Sequence, residues 1–195
     1  MDSRYRAAKL ASTRRGGRCA IRTTRDLADR DGPRRHGEEG RDGAGAVLHL
    51  HSLHGQAVAM TKDALLPHSQ TAMTVYSEVA YHDLEGFATD LDERERIVAD
   101  LGDKKAMILR NHGTLTIGTT VAEAFVRMHQ LERACSIQVF ALGGAERAGL
   151  NEPHQGVVEK VADQARMAQD AGVAERWAWP ALLRKLDRID PSYRT

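Results

Sequence analysis

One long amphipathic pattern constrains the fold of this chain more than any other feature. Val121, Ala124, Phe125, Met128, Leu131, Cys135, Val139 and Leu142 recur at spacings of three and four. That spacing puts them on one wide stripe of a single helix. Thr120-Val121-Ala122-Glu123 offers a capping-box start, and Gly143-Gly144 offers a stop. A stripe this wide needs an apolar surface to cover. The candidates are three short runs, 46–51, 106–109 and 114–117, which read as buried strands. Other helices are predicted over 52–60, with Ser52 as N-cap, over 155–171, and over 181–186, with Pro180 in the first turn. A further helix opens at Asp92, with Glu95 reaching back as in a capping box. It shows Ile97, Val98 and Leu101 as its apolar face, and Gly102 ends it. Residues 72–80 mix helix and strand signals, and 81–86 read as a loop or strand exit. Strands alternating with helices predict an α/β sheet covered on its faces.

The chemistry concentrates in three histidines. His49 and His51 stand two apart in Ala46-Val47-Leu48-His49-Leu50-His51. On a strand, positions i and i+2 share a face, roughly 6.5 Å apart at Cα. His112 follows the run Met107-Ile108-Leu109-Arg110-Asn111, where strand gives way to a turn. Three neutral imidazoles with an open position make a metal site able to do chemistry. An isolated pair of histidines at this spacing reads more simply as satisfied core residues, and the placement of His112 moves the reading to a metal. His54 reads as structural or as part of a subunit contact. His36, His68, His129 and His154 read as surface residues. Cys135 lies on the apolar stripe and reads as a small core residue.

Composition narrows the setting. The chain has 195 residues, a net charge of +1 and two cysteines. No apolar run approaches the ~20 residues that span a bilayer, and no apolar signal segment opens the chain. Two unrelated cysteines imply no disulfide framework, which fits a reducing cytoplasm. The charge is asymmetric: residues 1–45 carry net +5 with seven glycines, and the remainder carries net −4. The first 45 residues have little apolar material to bury and read as a poorly ordered leader. The competing reading, a nucleic-acid or anionic-surface arm, is the weaker one. The character changes near Gly43-Ala44-Gly45, dividing the chain into 1–45 and a domain over 46–195.

Residues 46–142 resemble the class II aldolase/adducin domain. The resemblance is carried by Val47-Leu48-His49-Leu50-His51-Ser52, Leu65-Leu66-Pro67 and Val79-Ala80-Tyr81-His82-Asp83-Leu84-Glu85-Gly86. It continues in Ile108-Leu109-Arg110-Asn111-His112-Gly113, in 120–125 and in Leu131-Glu132-Arg133-Ala134-Cys135, in that order. The resemblance implies a three-layer α/β/α fold around a mostly antiparallel sheet. It implies a divalent metal, usually zinc, held by His49, His51 and His112. It also implies a small hydroxylated carbonyl or sugar-phosphate substrate, cleaved as by a lyase or else epimerised or dehydrated, and a homotetramer. Tyr81 or His82 would stand where family aldolases place a proton-transferring tyrosine from a neighbouring subunit. A loop hydrogen-bonding role is the competing reading. Asp83 and Glu85 could support that loop or orient a ligand histidine.

The N-terminal third departs from the family pattern. In the family aldolases a glutamate one helix before the two-histidine strand acts as base, after a phosphate-gripping loop. Here Asp29 and Asp31 fall near that region without a matching motif, and Glu38 and Glu39 lie too close to the strand. The domain reads as N-terminally incomplete, and the Arg and Gly excess of 1–45 reads as translation of a GC-rich stretch in the wrong frame or from an upstream start. Alternative readings are a non-catalytic, adducin-like assembly domain or an inactive, damaged family member.

Overall fold

In the computed structural model, residues 19–23, 44–86, 91–144 and 149–194 are described. They form five strands and six α-helices. In chain order these are β1 (Cys19–Thr23), β2 (Ala46–Leu50), α1 (Leu53–Ala59), α2 (Gln70–Tyr76), β3 (Val79–His82) and α3 (Leu91–Leu101). There follow β4 (Ala106–Leu109), β5 (Gly113–Gly118), α4 (Val121–Gly144), α5 (Val157–Asp170) and α6 (Trp179–Ile189). The sheet order is β1-β2-β5-β4-β3. Three pairings are antiparallel and β3–β4 is parallel. The parallel pair needs a crossover, which α3 supplies. The expected mostly antiparallel α/β architecture is the one observed.

The two faces of the sheet follow from strand alternation. Val79, Ala106 and Ile108 point one way and pack on Leu131, Ala134 and Cys135 of α4, with α1 and α2 beside it. Ala46 and Leu48 meet Ala124 and Met128 on that side. The predicted stripe is thus buried as expected, and Leu131, Ile108 and Leu48 are wholly or almost wholly enclosed. Each such side chain contributes about 1.5–3 kcal/mol of transfer free energy. The opposite face carries Ala80, Met107, Leu109 and Ile117, covered by Leu101 and Ile97 of α3. A three-layer α/β/α stack results.

Several local expectations are refined. Ser52 caps α1, its hydroxyl accepting from the Gly55 N–H at 2.9 Å. The mixed signal over 72–80 resolves into the end of α2, a turn and the start of β3. Of the loop or strand exit expected over 81–86, Tyr81 and His82 are the end of the strand, because β4 lies alongside to pair with them. Helix α3 begins at Leu91, so Asp92 lies in its first turn and not ahead of it. Val98 is exposed, and the buried side of α3 is Glu93, Ile97 and Leu101. Helix α4 runs through Gly143 and Gly144. Thr120 caps it by accepting from the Glu123 N–H, but the Glu123 carboxylate reaches the Thr119 N–H and hydroxyl. Within 1–45, Cys19–Thr23 forms an edge strand on β2. The rest of the stretch expected to be a poorly ordered leader, apart from 44–45, lies outside the described residues.

Candidate metal centre

Two chain segments meet at one end of the sheet to build the centre. His49 lies in β2, and His51 follows the strand directly. Their shared side is fixed by neighbours: Ala46 and Leu48 face α4, so Val47 and His49 face α3. His112 comes from the tight turn between β4 and β5. Asn111 there holds φ at 57°, a left-handed conformation that asparagine tolerates better than most residues. Gly113 follows because a Cβ at that position would sit 2.3 Å from the Leu50 carbonyl oxygen. Only glycine lets the β4–β5 turn press this closely against the end of β2. That contact carries His112 to the two strand histidines.

The three rings are close-packed. Centroids are 4.6 Å apart for His49–His51, 4.8 Å for His49–His112 and 4.6 Å for His51–His112. The Nε2 atoms of His49 and His51 are 2.7 Å apart. One ring nitrogen from each of the three lies within 4.8 Å of the others. His49 Nδ1 donates to the Thr114 carbonyl oxygen at 3.0 Å, which leaves its Nε2 lone pair facing the other rings. The Thr114 hydroxyl in turn donates to Glu132 at 2.7 Å, tying this support to α4.

Electrostatics favour the neutral, metal-ready form. Burial pushes His49 down to about 4, with repulsion from His112 and His51 adding to it, against the opposing bond to Thr114. His112 is also lowered, by burial first and by His51 second, while the charge of Glu93 pulls it back up. Bases that resist protonation while clustered suit a cation. An all-imidazole set of three fits zinc or another first-row divalent ion.

Of the two proton-transfer candidates, only His82 shares the face of the centre. Ala80 and His82 point toward α3, whereas Val79 and Tyr81 point toward α4. Tyr81 is half-buried. Burial raises its phenol above the ordinary range, against a backbone hydrogen bond from Leu65. The Arg110 guanidinium lies 5.1 Å from its ring centroid, and Arg110 pairs with Asp83 at 3.3 Å. Glu85 pairs with Arg96. His54 stacks against Phe140 at 5.7 Å, away from the three histidines. Cys135 is fully enclosed, and burial pushes its thiol up to about 12, so it is core and not nucleophile.

The sequence reading passed over two residues beside this face. Glu93, on the buried side of α3, and Asp100, one helical stretch later, both approach His82. The signal was present: Glu93 stands four before Ile97 and eight before Leu101, an acid on an apolar stripe.

Comparison with known proteins agrees with this geometry. The family described as Class II Aldolase and Adducin N-terminal domain matches residues 36–139. The crystal structure of an aldolase II superfamily protein from Pseudomonas syringae superposes with a TM-score of 0.75 at 47% identity, covering 80% of this chain and 61% of that one. L-fuculose 1-phosphate aldolase from Glaciozyma antarctica gives a TM-score of 0.54 at 27% identity, covering 65% of this chain and 47% of that one. Alpha-adducin of Rattus norvegicus is 37% identical over 164 residues, 80% of this chain and 22% of that protein. The chain spans 58% and 57% of the length of two bacterial curated relatives that it matches at 48% and 44% identity.

Proposed function

Because the chain belongs to the class II aldolase and adducin family, we propose that it is a metal-dependent lyase of the class II aldolase type. Its substrate would be a small hydroxylated carbonyl compound or sugar phosphate. The observation that carries this reading is the convergence of His49, His51 and His112, with burial holding His49 and His112 below the ordinary imidazole range. A divalent cation there, zinc by preference, would supply Lewis-acid stabilisation of the negative oxygen that develops as a carbon–carbon bond breaks to an enediolate.

The chain's own residues do the rest. Thr114 and Glu132 hold His49 in the tautomer that offers Nε2. The Asn111 turn and Gly113 hold His112 against β2. His82 is the proton-transfer candidate on the same face, and Tyr81, on the other face, is a candidate only toward a neighbouring subunit. Self-association accords with exposed Leu53, Met60 and Phe140 on α1, just after it and on α4. Among the described residues no helix is long and apolar enough to cross a membrane.

The test is aldehyde release from L-fuculose 1-phosphate and related ketose phosphates by zinc-loaded protein. Turnover that disappears with a chelator and in His112→Ala supports the reading. Folded, zinc-loaded protein without turnover across the panel contradicts it. That result would favour the second reading, a non-catalytic assembly domain, for which the extended similarity to alpha-adducin speaks.

A further inference from the structure

A buried carboxylate, a buried imidazole and a half-exposed carboxylate stand in line beside the histidine centre. His82 closes β3, and its side chain is 3% exposed. Its Nδ1 lies 2.7 Å from Asp100 Oδ2, and the Asp100 side chain is 49% exposed. Its Nε2 is buried and makes no hydrogen bond among the described residues. The nearest carboxylate to it is Glu93, with Oε1 at 3.9 Å and a side chain only 6% exposed. Glu93 also lies close enough to His112 for its charge to act on that ring. At the outer end Glu85 faces His82 and Asp100, its charge matched by Arg96.

We propose that Glu93, His82 and Asp100 form a proton relay between the histidine centre and solvent, with Glu93 the group that exchanges protons with the substrate. The arrangement calls for a shared proton. With Nδ1–H donated to Asp100, the His82 Nε2 lone pair faces Glu93. With Glu93 as a carboxylate and Nε2 as a free lone pair, the pair has room for one further proton, and that is the proton the relay moves. A carboxylate buried this deeply needs such a partner. The 3.9 Å gap exceeds a hydrogen bond, and closing it takes a shift of about 1 Å, an ordinary tightening between a free and an occupied site.

The relay step balances without redox change. A proton leaves a hydroxymethyl carbon beside the substrate carbonyl and bonds to a Glu93 oxygen. The C–H electron pair becomes the enediolate double bond, and the carbonyl π pair moves to oxygen. The Glu93 proton passes to His82 Nε2, the Nδ1 proton passes to Asp100, and Asp100 releases it to water. Return of a solvent proton along the same path restores each group.

This inference rests on the lyase reading for its substrate, so two measurements separate them. The first is solvent-deuterium exchange into dihydroxyacetone phosphate, followed by proton NMR with the full zinc-loaded chain. Glu93→Gln should slow exchange by about 100-fold or more while zinc per chain stays unchanged. His82→Ala should slow it as well and regain rate on adding imidazole, which a structural role would not permit. His82→Gln, closer in size, guards against a folding defect and should be slow without cavity rescue. Normal exchange in Glu93→Gln, or a slow His82→Ala indifferent to imidazole, overturns the relay. The second measurement needs no turnover. Zinc loading should shift the His82 ring nitrogen resonances in the wild type, and Glu93→Gln should remove that response. The same response in both proteins overturns the relay. A wild type that shows the Glu93-dependent response but exchanges no deuterium refutes the lyase reading and leaves the relay supported.

Discussion

The two faces of the sheet are built to different ends. Toward α4, most buried polar groups are closed into bonds: Thr116 donates to the Ala124 carbonyl, Gln138 bridges Leu66 and Ala64, and Arg127 binds Glu78, Glu123 and the Ile117 carbonyl, while Gln130 Oε1 and His68 Nδ1 find no partner among the described residues. Toward α3, polar groups are gathered but left open. Three imidazoles crowd one another, and His82 Nε2 is buried without a hydrogen bond among the described residues. A buried polar group with no partner costs stability, and proteins concentrate such costs where a ligand or a proton is to be handled. One face therefore holds the fold together, and the other carries the candidate metal centre.

The largest expected effect tests the holding face. Leu131→Ala should destabilise the domain by about 2–5 kcal/mol, measured by denaturant unfolding, with zinc per folded chain unchanged. Zinc loss in the folded fraction would break the separation of roles. On the other face, zinc at 100 times its Kd should stabilise the wild type by about 2.7 kcal/mol in thermal unfolding. His112→Ala should erase that gain while melting near the wild-type metal-free value.

A pH titration of the metal-free protein gives the next effect. His49 is about 4 when folded and near 6.5 when unfolded. The unfolded chain therefore binds more protons, and stability falls as pH drops. The contribution is complete above pH 6.5 and is lost between 6.5 and 4. Its size is on the order of 2 kcal/mol after allowing for partial exposure of the ring. His49→Gln should flatten that part of the curve, and an unchanged curve would contradict the assigned environment. The smallest effect concerns the turn. Asn111→Ala should cost about 1 kcal/mol for its left-handed backbone, and Asn111→Gly much less. Both should weaken zinc binding in the same order, because this turn presents His112.

Much of this division was legible in the sequence. The α4 stripe and the strands read over 46–51, 106–109 and 114–117 announce themselves by local period, and the histidines by spacing within a strand and after a turn. What was not legible depends on partners distant in sequence. Tyr81 and His82 read as a loop or strand exit, and only pairing with β4 makes them the end of a strand. Cys19–Thr23 sits in an Arg-rich stretch and becomes a strand only beside β2. Glu93 and Asp100 read as ordinary acids of a helix, since nothing local says that His82 lies beneath them. Which face each candidate takes, and hence the separation of His82 from Tyr81, also emerged only with strand pairing.

The central claim is that His49, His51 and His112 together hold one divalent cation. The most direct measurement is metal content by mass spectrometry after zinc loading and desalting, for the wild type and the three single alanine variants, each shown to be folded. The account predicts about one zinc per chain in the wild type and close to none in every variant. Full occupancy in folded His49→Ala and His112→Ala would contradict it.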